Sequence, residues 1–174
     1  LWLGTGRGPV RRAVTHFQSF SSSHVGPTRA ILQDTAGRFW FAAYNGLVRY
    51  QPGTVAPRVR IVKLTADREY PCDVVAEVPA SARPVSLEYR GMSFRSRPSE
   101  MLYAHRLVGL EQDWCVPTAS MRVTYADLAP GEYRFQVRAI DRDLNSSQLA
   151  EVLLRMVPDP RAAALNLALS GTAD

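Results

Sequence analysis

Cysteine and long apolar runs are both scarce in this chain of 174 residues. The two cysteines, Cys72 and Cys115, form no CxxC pair, which excludes a zinc knuckle and a thioredoxin-type redox motif. One disulfide between them would need an oxidising compartment, and two separate thiols are the simpler interpretation. No run approaches the roughly 20 apolar residues of a membrane-spanning helix, and the first residues lack a signal-peptide pattern. We therefore expect no membrane contact by this segment itself.

Acidic residues are nearly absent from the first third of the chain. Residues 1–57 contain six arginines and one acid, Asp34, whereas residues 58–158 contain 14 basic and 13 acidic residues. The basic residues are dispersed, and no run of them is longer than two. Nucleic-acid-binding proteins concentrate basic side chains in a stripe or patch. The sequence therefore predicts no nucleic-acid partner.

Histidine-based chemistry has no support in the sequence. His16 and His24 lie in a polar segment, and His105 stands alone on a predicted strand. A zinc site needs more ligands or shorter spacings. Ser21–Ser23 precede His24, but nothing like a nucleophile elbow surrounds them. We interpret the segment 21–24 as a loop that joins two structural repeats.

Two loops superficially suggest ligand binding. "GTGRGP" at residues 4–9 has the composition of a phosphate-binding loop, but such a loop needs a following helix, and a strand pattern follows here. "DRDLN" at residues 141–145 carries two acids, but a calcium loop needs a third oxygen and a distal glutamate. Turn capping is the simpler role for Asp and Asn. We therefore expect no catalytic, metal-binding or cofactor-binding residue, and no enzyme.

An internal repeat is the first positive feature. "FWFAAYNGLVRY" at residues 39–50 aligns with "LWLGTGRGPVRR" at residues 1–12, and Trp40 falls on Trp2 after a shift of 38 positions. Alternating apolar residues predict strands in both segments. A self-similar antiparallel unit of this period is typical of a propeller blade. Two blades cannot close a ring of about four to eight, so we expect the chain to begin inside a larger propeller.

The second copy of the repeat has the clearer turns. Asp34 through Gly37 predict a four-residue turn, in which Asp34 binds the turn backbone and Gly37 takes a positive φ. Asn45 and Gly46 predict the central pair of a type I′ hairpin. The strands predicted around these turns are Arg29–Gln33, Arg38–Ala42 and Leu47–Tyr50.

The rest of the chain divides into a linker, a sandwich and a tail. Residues 51–58, "QPGTVAPR", predict a stiff linker because proline fixes φ and removes a donor. Residues 59–158 contain about seven strand patterns separated by turn signals, which favours an immunoglobulin-like sandwich. Residues 159–174 predict either a short marginal helix or a frayed tail. The predicted sandwich strands are Val59–Leu64, Val74–Val78, Val85–Tyr89, Tyr103–Val108, Met121–Tyr125, Glu132–Ile140 and Glu151–Val157.

The stretch "TYADLAPGEYRFQVRAIDRD" carries a family resemblance. Leu128, the Pro130-Gly131 turn and Tyr133 resemble the tyrosine corner of fibronectin- and immunoglobulin-like domains. Together with upstream motifs, the stretch is similar to the "three Y" (Y_Y_Y) domain of two-component regulators over roughly residues 58–158. The matching residues are Leu87-Glu88-Tyr89, Tyr103, Arg106-Leu107, Gly109-Leu110, Asp113-Trp114, Tyr125 and Leu128–Phe135.

The repeat resembles a blade of the regulator propeller that precedes the three-Y domain in this family. Its Gln-Asp-x-x-Gly-x-x-Trp core stands at Gln33, Asp34, Gly37 and Trp40. The resemblance implies an all-β chain in which residues 1–50 are partial propeller blades and an immunoglobulin- or fibronectin-III-like sandwich follows. Trp2, Trp40 and Trp114 are then packing residues rather than sugar platforms. The first repeat departs from the pattern at Pro9 and Arg12, where blades favour a strand residue and an aromatic residue.

The resemblance also implies a function. The chain would be a non-catalytic, periplasmic sensor segment of an inner-membrane protein, relaying ligand-induced changes from the propeller to a transmembrane and cytoplasmic output module. Outputs in the family include histidine kinases and diguanylate cyclases. The implied partners are propeller blades outside this chain, an oligosaccharide or small molecule on the complete propeller, and a second copy through an edge strand of the sandwich. The alternative is a fibronectin-III-like accessory or carbohydrate-binding module of a secreted protein.

Overall fold

The predicted all-β fold is confirmed by the computed structural model, which describes residues 1–12, 17–20 and 25–158. The described residues contain no α-helix, only a 3-10 turn at Pro98–Glu100. The strands are β1 (Trp2–Thr5), β2 (Gly8–Arg12), β3 (Phe17–Ser19), β4 (Thr28–Gln33), β5 (Phe39–Ala43), β6 (Gly46–Tyr50), β7 (Arg58–Thr65), β8 (Glu69–Tyr70), β9 (Ala76–Pro79), β10 (Val85–Met92), β11 (Leu102–Val108), β12 (Arg122–Tyr125), β13 (Gly131–Ile140) and β14 (Ala150–Val157).

The first six strands form two three-stranded antiparallel sheets, in the orders β1-β2-β3 and β4-β5-β6. Their registers are equivalent, because Trp2 pairs with Arg11 in the first sheet and Trp40 pairs with Arg49 in the second. The 38-residue sequence repeat is therefore a repeat of structure as well. Whether the two sheets are blades of a propeller stays a prediction.

The hairpin of the second sheet differs from the predicted type I′ turn. Ala43 pairs with Gly46, so the two central residues are Tyr44 and Asn45. Gly46 instead begins β6 with a φ of 135°, and the equivalent Gly8 begins β2 with a φ of 121°. A type I′ turn needs positive φ at both central residues, and Asn45 is not among the positive-φ residues. Gly46 therefore provides the positive φ at the start of β6 rather than within the turn.

β3 of the first sheet was not predicted from the sequence, and the predicted loop at residues 21–24 lies outside the described residues. Phe17–Ser19 form β3, which pairs with β2 through Val10 and Ser19. Three residues are too few for alternation to reveal a strand, which explains the missed element. His16 and His24 lie outside the described residues.

Aromatic rings join the two sheets. The ring of Trp2 lies between the sheets, with its centroid 5.0 Å from that of Phe39 and 5.2 Å from that of Phe41. Phe20 and Tyr50 complete the cluster at 4.8 and 5.7 Å from Trp2. Phe41 is 1% exposed. Buried aromatic area of this kind dominates packing energies, so the two sheets hold together through these rings.

The remaining strands form two four-stranded sheets packed face to face, in the orders β12-β10-β7-β8 and β11-β13-β14-β9. β9 runs parallel to β14, and the other pairings are antiparallel. The two-residue strand β8 is additional to the predicted set, and β7 begins at Arg58, which the prediction gave to the linker. Residues 51–57 contain no strand. The tail, residues 159–174, lies outside the described residues.

Alternation along the strands builds one core between the two sheets. On β10 the side chains of Val85, Leu87 and Tyr89 point inward and are at most 2% exposed, whereas Arg90 is exposed. β13 supplies Phe135 and Val137, which are fully buried. This period-2 pattern is the reason that the sequence reveals these strands.

Candidate junction between the first sheets and the sandwich

A buried carboxylate, Asp143, connects the sandwich to the second sheet. Asp143 lies in the loop between β13 and β14 and is 4% exposed. The phenol of Tyr50, at the end of β6, donates a hydrogen bond to its Oδ1. The backbone N–H of Gly53 donates to its Oδ2 at 2.8 Å. A buried charge needs hydrogen-bond partners, and two of the partners of Asp143 come from outside the sandwich.

Gly53 is required by the close approach of the linker to this carboxylate. A Cβ atom at this position would lie 2.7 Å from Asp143 Oδ2 and 2.8 Å from Arg95 Nε. The linker is held on its other side as well, because Asn145 Nδ2 donates to the Gly53 carbonyl at 2.9 Å. Both backbone groups of Gly53 therefore bind to the same loop of the sandwich.

The loop that carries Asp143 is fixed by its own hydrogen bonds. Asp141 accepts the N–H of Asn145 at 2.8 Å and its Nδ2 at 3.1 Å. Leu144 takes a φ of 64°, and its N–H donates to the Asp141 carbonyl at 3.0 Å. A non-glycine residue in this left-handed region is uncommon. The predicted turn-capping role fits Asp141, whereas Asp143 turns toward the linker and β6.

Three arginines lie around Asp143: one on β2, one in the segment after β10 and one in the Asp143 loop itself. Arg11, on β2 of the first sheet, donates to the Asp143 carbonyl at 2.8 Å. Arg95 Nε lies 3.7 Å and Arg142 Nε 3.9 Å from the Asp143 carboxylate. The first sheet, the second sheet and the sandwich thus all reach one residue.

The electrostatics of the junction keep Tyr50 protonated. Burial raises the pKa of the Tyr50 phenol far above its usual range, and the hydrogen bond to Asp143 and its charge act in the same direction. The positive charges of Arg11 and Arg142 oppose this shift only in part. The phenol of Tyr50 therefore remains a hydrogen-bond donor at every physiological pH.

The junction was not predicted from the sequence, because Tyr50 and Asp143 are 93 positions apart. One signal was present. Tyr50 stands at the position of Arg12 in the first repeat, and a departure between two copies marks a site where their surroundings differ. The cluster of Trp2 and Phe41 holds the ring of Tyr50 while its hydroxyl reaches the sandwich.

The predicted blade motif forms one hydrogen-bonded turn. Asp34 accepts the N–H groups of Ala36 and Arg38, each at 3.0 Å, the Arg38 guanidinium at 2.7 Å and Trp40 Nε1 at 2.9 Å. The hydrogen bond from Trp40, with those from Arg38, lowers the pKa of Asp34 to about 2. Gly37 has a φ of 75°. Gln33 ends β4 just before the turn.

The tyrosines of the predicted sandwich motif lie around one core but have different partners. Tyr103 Oη accepts the N–H of Gly91 at 2.9 Å, and Tyr125 Oη donates to Glu111 at 3.4 Å. The rings of Tyr89 and Tyr103 are 5.3 Å apart. The hydroxyl of Tyr89 is buried with no hydrogen-bond partner among the described residues.

The tyrosine corner is formed by Tyr133, whose hydroxyl donates to the Ala129 carbonyl at 3.0 Å. Pro130 and Gly131 lie between the two, so the ring closes over the turn that leads into β13. Trp114 lies on the outer side of the second sandwich sheet, between Arg106 and Arg138, whose guanidinium carbons are 4.8 and 4.6 Å from its ring centroid. Such contacts are cation–π interactions.

This arrangement of Tyr103, Trp114, Tyr125 and Tyr133 on one sandwich agrees with a family model. Residues 95–155 match the Y_Y_Y domain family. The resemblance indicated by the sequence is therefore confirmed, over a shorter range than the roughly 58–158 expected. The Y_Y_Y segment contains Asp143, whereas Tyr89 precedes it.

One solved structure shares the fold of the Y_Y_Y segment and of the sheets before it. The extracellular domain of BT3049 from B. thetaiotaomicron, described as a hybrid two component system, is 20% identical, with a TM-score of 0.57 over 91% of this chain and 24% of that one. That of BT4673 from the same organism is 16% identical, with a TM-score of 0.46 over 94% of this chain and 24% of that one. No curated protein sequence matches this chain.

The chain thus spans about a quarter of the length of these solved domains. The match to BT3049 covers both the two small sheets and the Y_Y_Y segment. At 20% identity it shows the fold alone. No helix in the described part of the chain is both long enough and apolar enough to cross a membrane.

Proposed function

We propose that this chain is a non-catalytic, extracytoplasmic segment of a bacterial two-component-type receptor, which relays changes from a propeller to a membrane-bound output module. The junction at Asp143 is the observation that carries the proposal. It ties both small sheets and the linker to the Y_Y_Y segment through Tyr50, Gly53 and Arg11. A movement of the sheets would therefore reach the sandwich directly. The fold shared with the extracellular domain of a hybrid two component system supports the same function.

The outer face of the second sheet supports the presence of further propeller blades. Trp40, the equivalent of Trp2, lies on this face with other apolar side chains, of which Leu32 and Leu47 are each 66% exposed. Trp2 packs on a neighbouring sheet, whereas the face around Trp40 has no neighbour among the described residues. An exposed apolar patch of this kind marks an interaction site. A further blade of the same repeat would cover it, and the ligand, an oligosaccharide or small molecule, would bind to the complete propeller.

The relay needs two arrangements of the propeller and sandwich that the ligand binds unequally. The test is a receptor with its neighbouring gene segments restored, assayed for ligand-dependent output. Asp143→Asn should reduce the output while ligand affinity is retained, because the substitution loosens the connection and not the binding surface. Asp113→Asn, on an exposed loop of the sandwich, is the control. Unchanged output in Asp143→Asn would contradict the relay.

The gene sequence on either side provides a second test. We expect further Gln-Asp-x-x-Gly-x-x-Trp repeats upstream and a membrane helix with an output module downstream. If neither a membrane helix nor an output module follows, the receptor proposal fails. Clear thermal stabilisation of this chain alone by oligosaccharides would then favour the accessory-module alternative, because a ligand that binds the folded state raises its stability.

A further inference from the structure

One strand of the sandwich has an open edge. β8 pairs with β7 only at Leu64 and Thr65, so no strand in the described part of the chain pairs with Arg58–Val62 on that side. The other side of this stretch pairs with β10. The unpaired N–H and C=O groups of an edge strand can form a ladder with another extended chain.

A groove runs beside this open edge. It has a volume of about 520 Å³ and is lined by residues 56–59 on one side and by Gln148 and Leu149 on the other. A second hollow, of about 260 Å³, lies over β7 and β10 and includes Arg58, Arg60 and Arg90. Arg58 and Val59 line both hollows, so the edge and the outer face of the sheet form one continuous surface.

The outer face beside the edge carries three arginines, of which Arg90 lies near enough to Glu88 for their charges to interact. Arg58 and Arg60 alternate along β7, and Arg90 lies directly opposite Arg60 on β10. All three are exposed, and none forms an ion pair among the described residues. Like charges in directly opposite positions destabilise a sheet. The other basic side chains of the same face are paired with acids, namely Lys63 with Glu69 and Arg122 with Glu88.

We propose that this edge is a docking site for an extended segment of a partner protein that carries acidic side chains at alternate positions. The segment adds as a strand beside Arg58–Val62, so that the backbone ladder provides affinity. Its acidic side chains lie on the outer face next to Arg58 and Arg60, because cross-strand pairs of opposite charge stabilise a sheet. This site goes beyond the relay and does not depend on it.

A second copy of this chain fits the edge less well. Antiparallel pairing of β7 with β7 of another copy would bring Arg58 and Arg60 of both copies together, and opposed like charges are unfavourable. Charged side chains on an edge strand are also a known protection against self-association. The partner is therefore expected to be acidic where this edge is basic.

The test is a binding titration of the whole chain with fluorescein-labelled peptides, followed by anisotropy. An octapeptide of alternating glutamate and threonine should bind, and its lysine–threonine counterpart should not. Two acidic peptides, N-methylated at the glutamates or at the threonines, distinguish the two sides of the added strand: the one whose blocked N–H groups face β7 should bind about tenfold more weakly, because it loses its ladder bonds. Hydrogen exchange should show new protection at residues 58–62. Undiminished binding of both methylated peptides, or absence of new protection at this stretch, would overturn strand addition.

Charge reversal in the protein tests the role of the arginines. Arg58→Glu with Arg60→Glu should weaken binding of the acidic peptide at least about tenfold, since two favourable cross-strand pairs become unfavourable. Arg7→Glu with Arg134→Glu is the matched control, because both arginines are exposed and lie in other sheets, Arg7 in the turn between β1 and β2 and Arg134 on β13. Similar losses in the two double variants, or no binding of the acidic peptide to the wild type, would refute the site. A wild-type dimer that the Arg58 and Arg60 substitutions strengthen would assign the edge to self-association instead.

Discussion

At the scale of single residues, substitution of Asp143 should affect the largest number of elements, because its contacts come from β2, β6 and the linker. Its carboxylate accepts hydrogen bonds from Tyr50 and Gly53 while almost completely buried. In Asp143→Asn the amide nitrogen replaces one acceptor and faces a donor. We expect the free energy of unfolding to fall by about 2 kcal/mol, the scale of a lost hydrogen bond to a charged group. Urea unfolding measures it, with Asp113→Asn as the control.

Tyr50→Phe separates the hydrogen bond of the Tyr50 hydroxyl from the packing of its ring. The ring stays in the aromatic cluster with Trp2, and only the hydroxyl is lost. The free energy of unfolding should fall by about 1 kcal/mol. This is less than for Asp143→Asn, because Gly53 still donates to the carboxylate. A loss equal to that of Tyr50→Ala would show that the hydroxyl carries the whole contribution and would contradict the role of the ring.

His105 should make stability depend on pH. The imidazole is 9% exposed, and its Nδ1 is buried with no hydrogen-bond partner among the described residues. Burial lowers its pKa below the ordinary value of 6.5, and the charge of Glu111 opposes the shift. The unfolded chain therefore binds the proton first, so stability is full above about pH 6.5 and falls as the pH decreases toward the lowered pKa. Urea midpoints between pH 7.5 and 5.5 measure this slope.

His105→Gln is the matched variant for this experiment, because it retains a polar side chain that does not titrate. Its midpoint should change less over the same pH interval than that of the wild type. A titration of the His105 ring by NMR measures its pKa in the folded chain directly. A pKa above 6.5 in the folded chain would reverse the predicted slope.

At the scale of elements, the two copies of the repeat provide their own control. Trp2 packs between sheets, whereas Trp40 lies on the open face and donates to Asp34. Trp2 is half-buried and contacts four other aromatic rings, so Trp2→Ala should lower the free energy of unfolding by about 3 kcal/mol, the lower end of the cost of truncating tryptophan in a core. Trp40→Ala should cost clearly less in this chain. Equal losses, measured by urea unfolding, would show that the two faces are equally covered.

Local chemistry explains which elements could be predicted from the sequence. The turn at Asp34–Gly37 was predicted because the residues that form it are adjacent, and Asp34 and Gly37 suffice to specify it. β3 and β8 were missed because two or three residues show no periodicity. The type I′ turn predicted at Asn45-Gly46 was wrong, because the pair favours this turn in isolation. The pairing of β5 with β6 places Gly46 in the strand instead.

The same limit applies to the candidate site. The motif tyrosines and the turn before Tyr133 were found because they are local patterns in a known order. The junction was not, because Tyr50, Gly53 and Asp143 meet only after both the second sheet and the sandwich have formed. Contacts between residues some 90 positions apart leave no periodic trace. Only the difference between Tyr50 and Arg12 in the repeat pointed to it.

At the scale of the whole molecule, the junction should make the small sheets and the sandwich unfold together. The sheets share a modest aromatic cluster, whereas the sandwich has a large core of its own. A small unit of this kind is marginal alone and gains stability from Asp143 and the linker. We expect one calorimetric transition in the wild type and two in a variant that carries Gly53→Ala and Asp143→Asn, with the sheets unfolding first.

Tryptophan fluorescence assigns the two transitions. Trp2 and Trp40 report on the sheets in a Trp114→Phe background, and Trp114 reports on the sandwich in a background with Trp2→Phe and Trp40→Phe. The control is Gly6→Ala, because a Cβ at Gly6 meets nothing within 4 Å, whereas one at Gly53 meets Asp143 at 2.7 Å. Gly6→Ala should preserve one shared transition. If the junction variant also keeps one transition in both reporters, the sheets and sandwich are coupled by contacts other than Asp143, because two-state unfolding requires coincident probes.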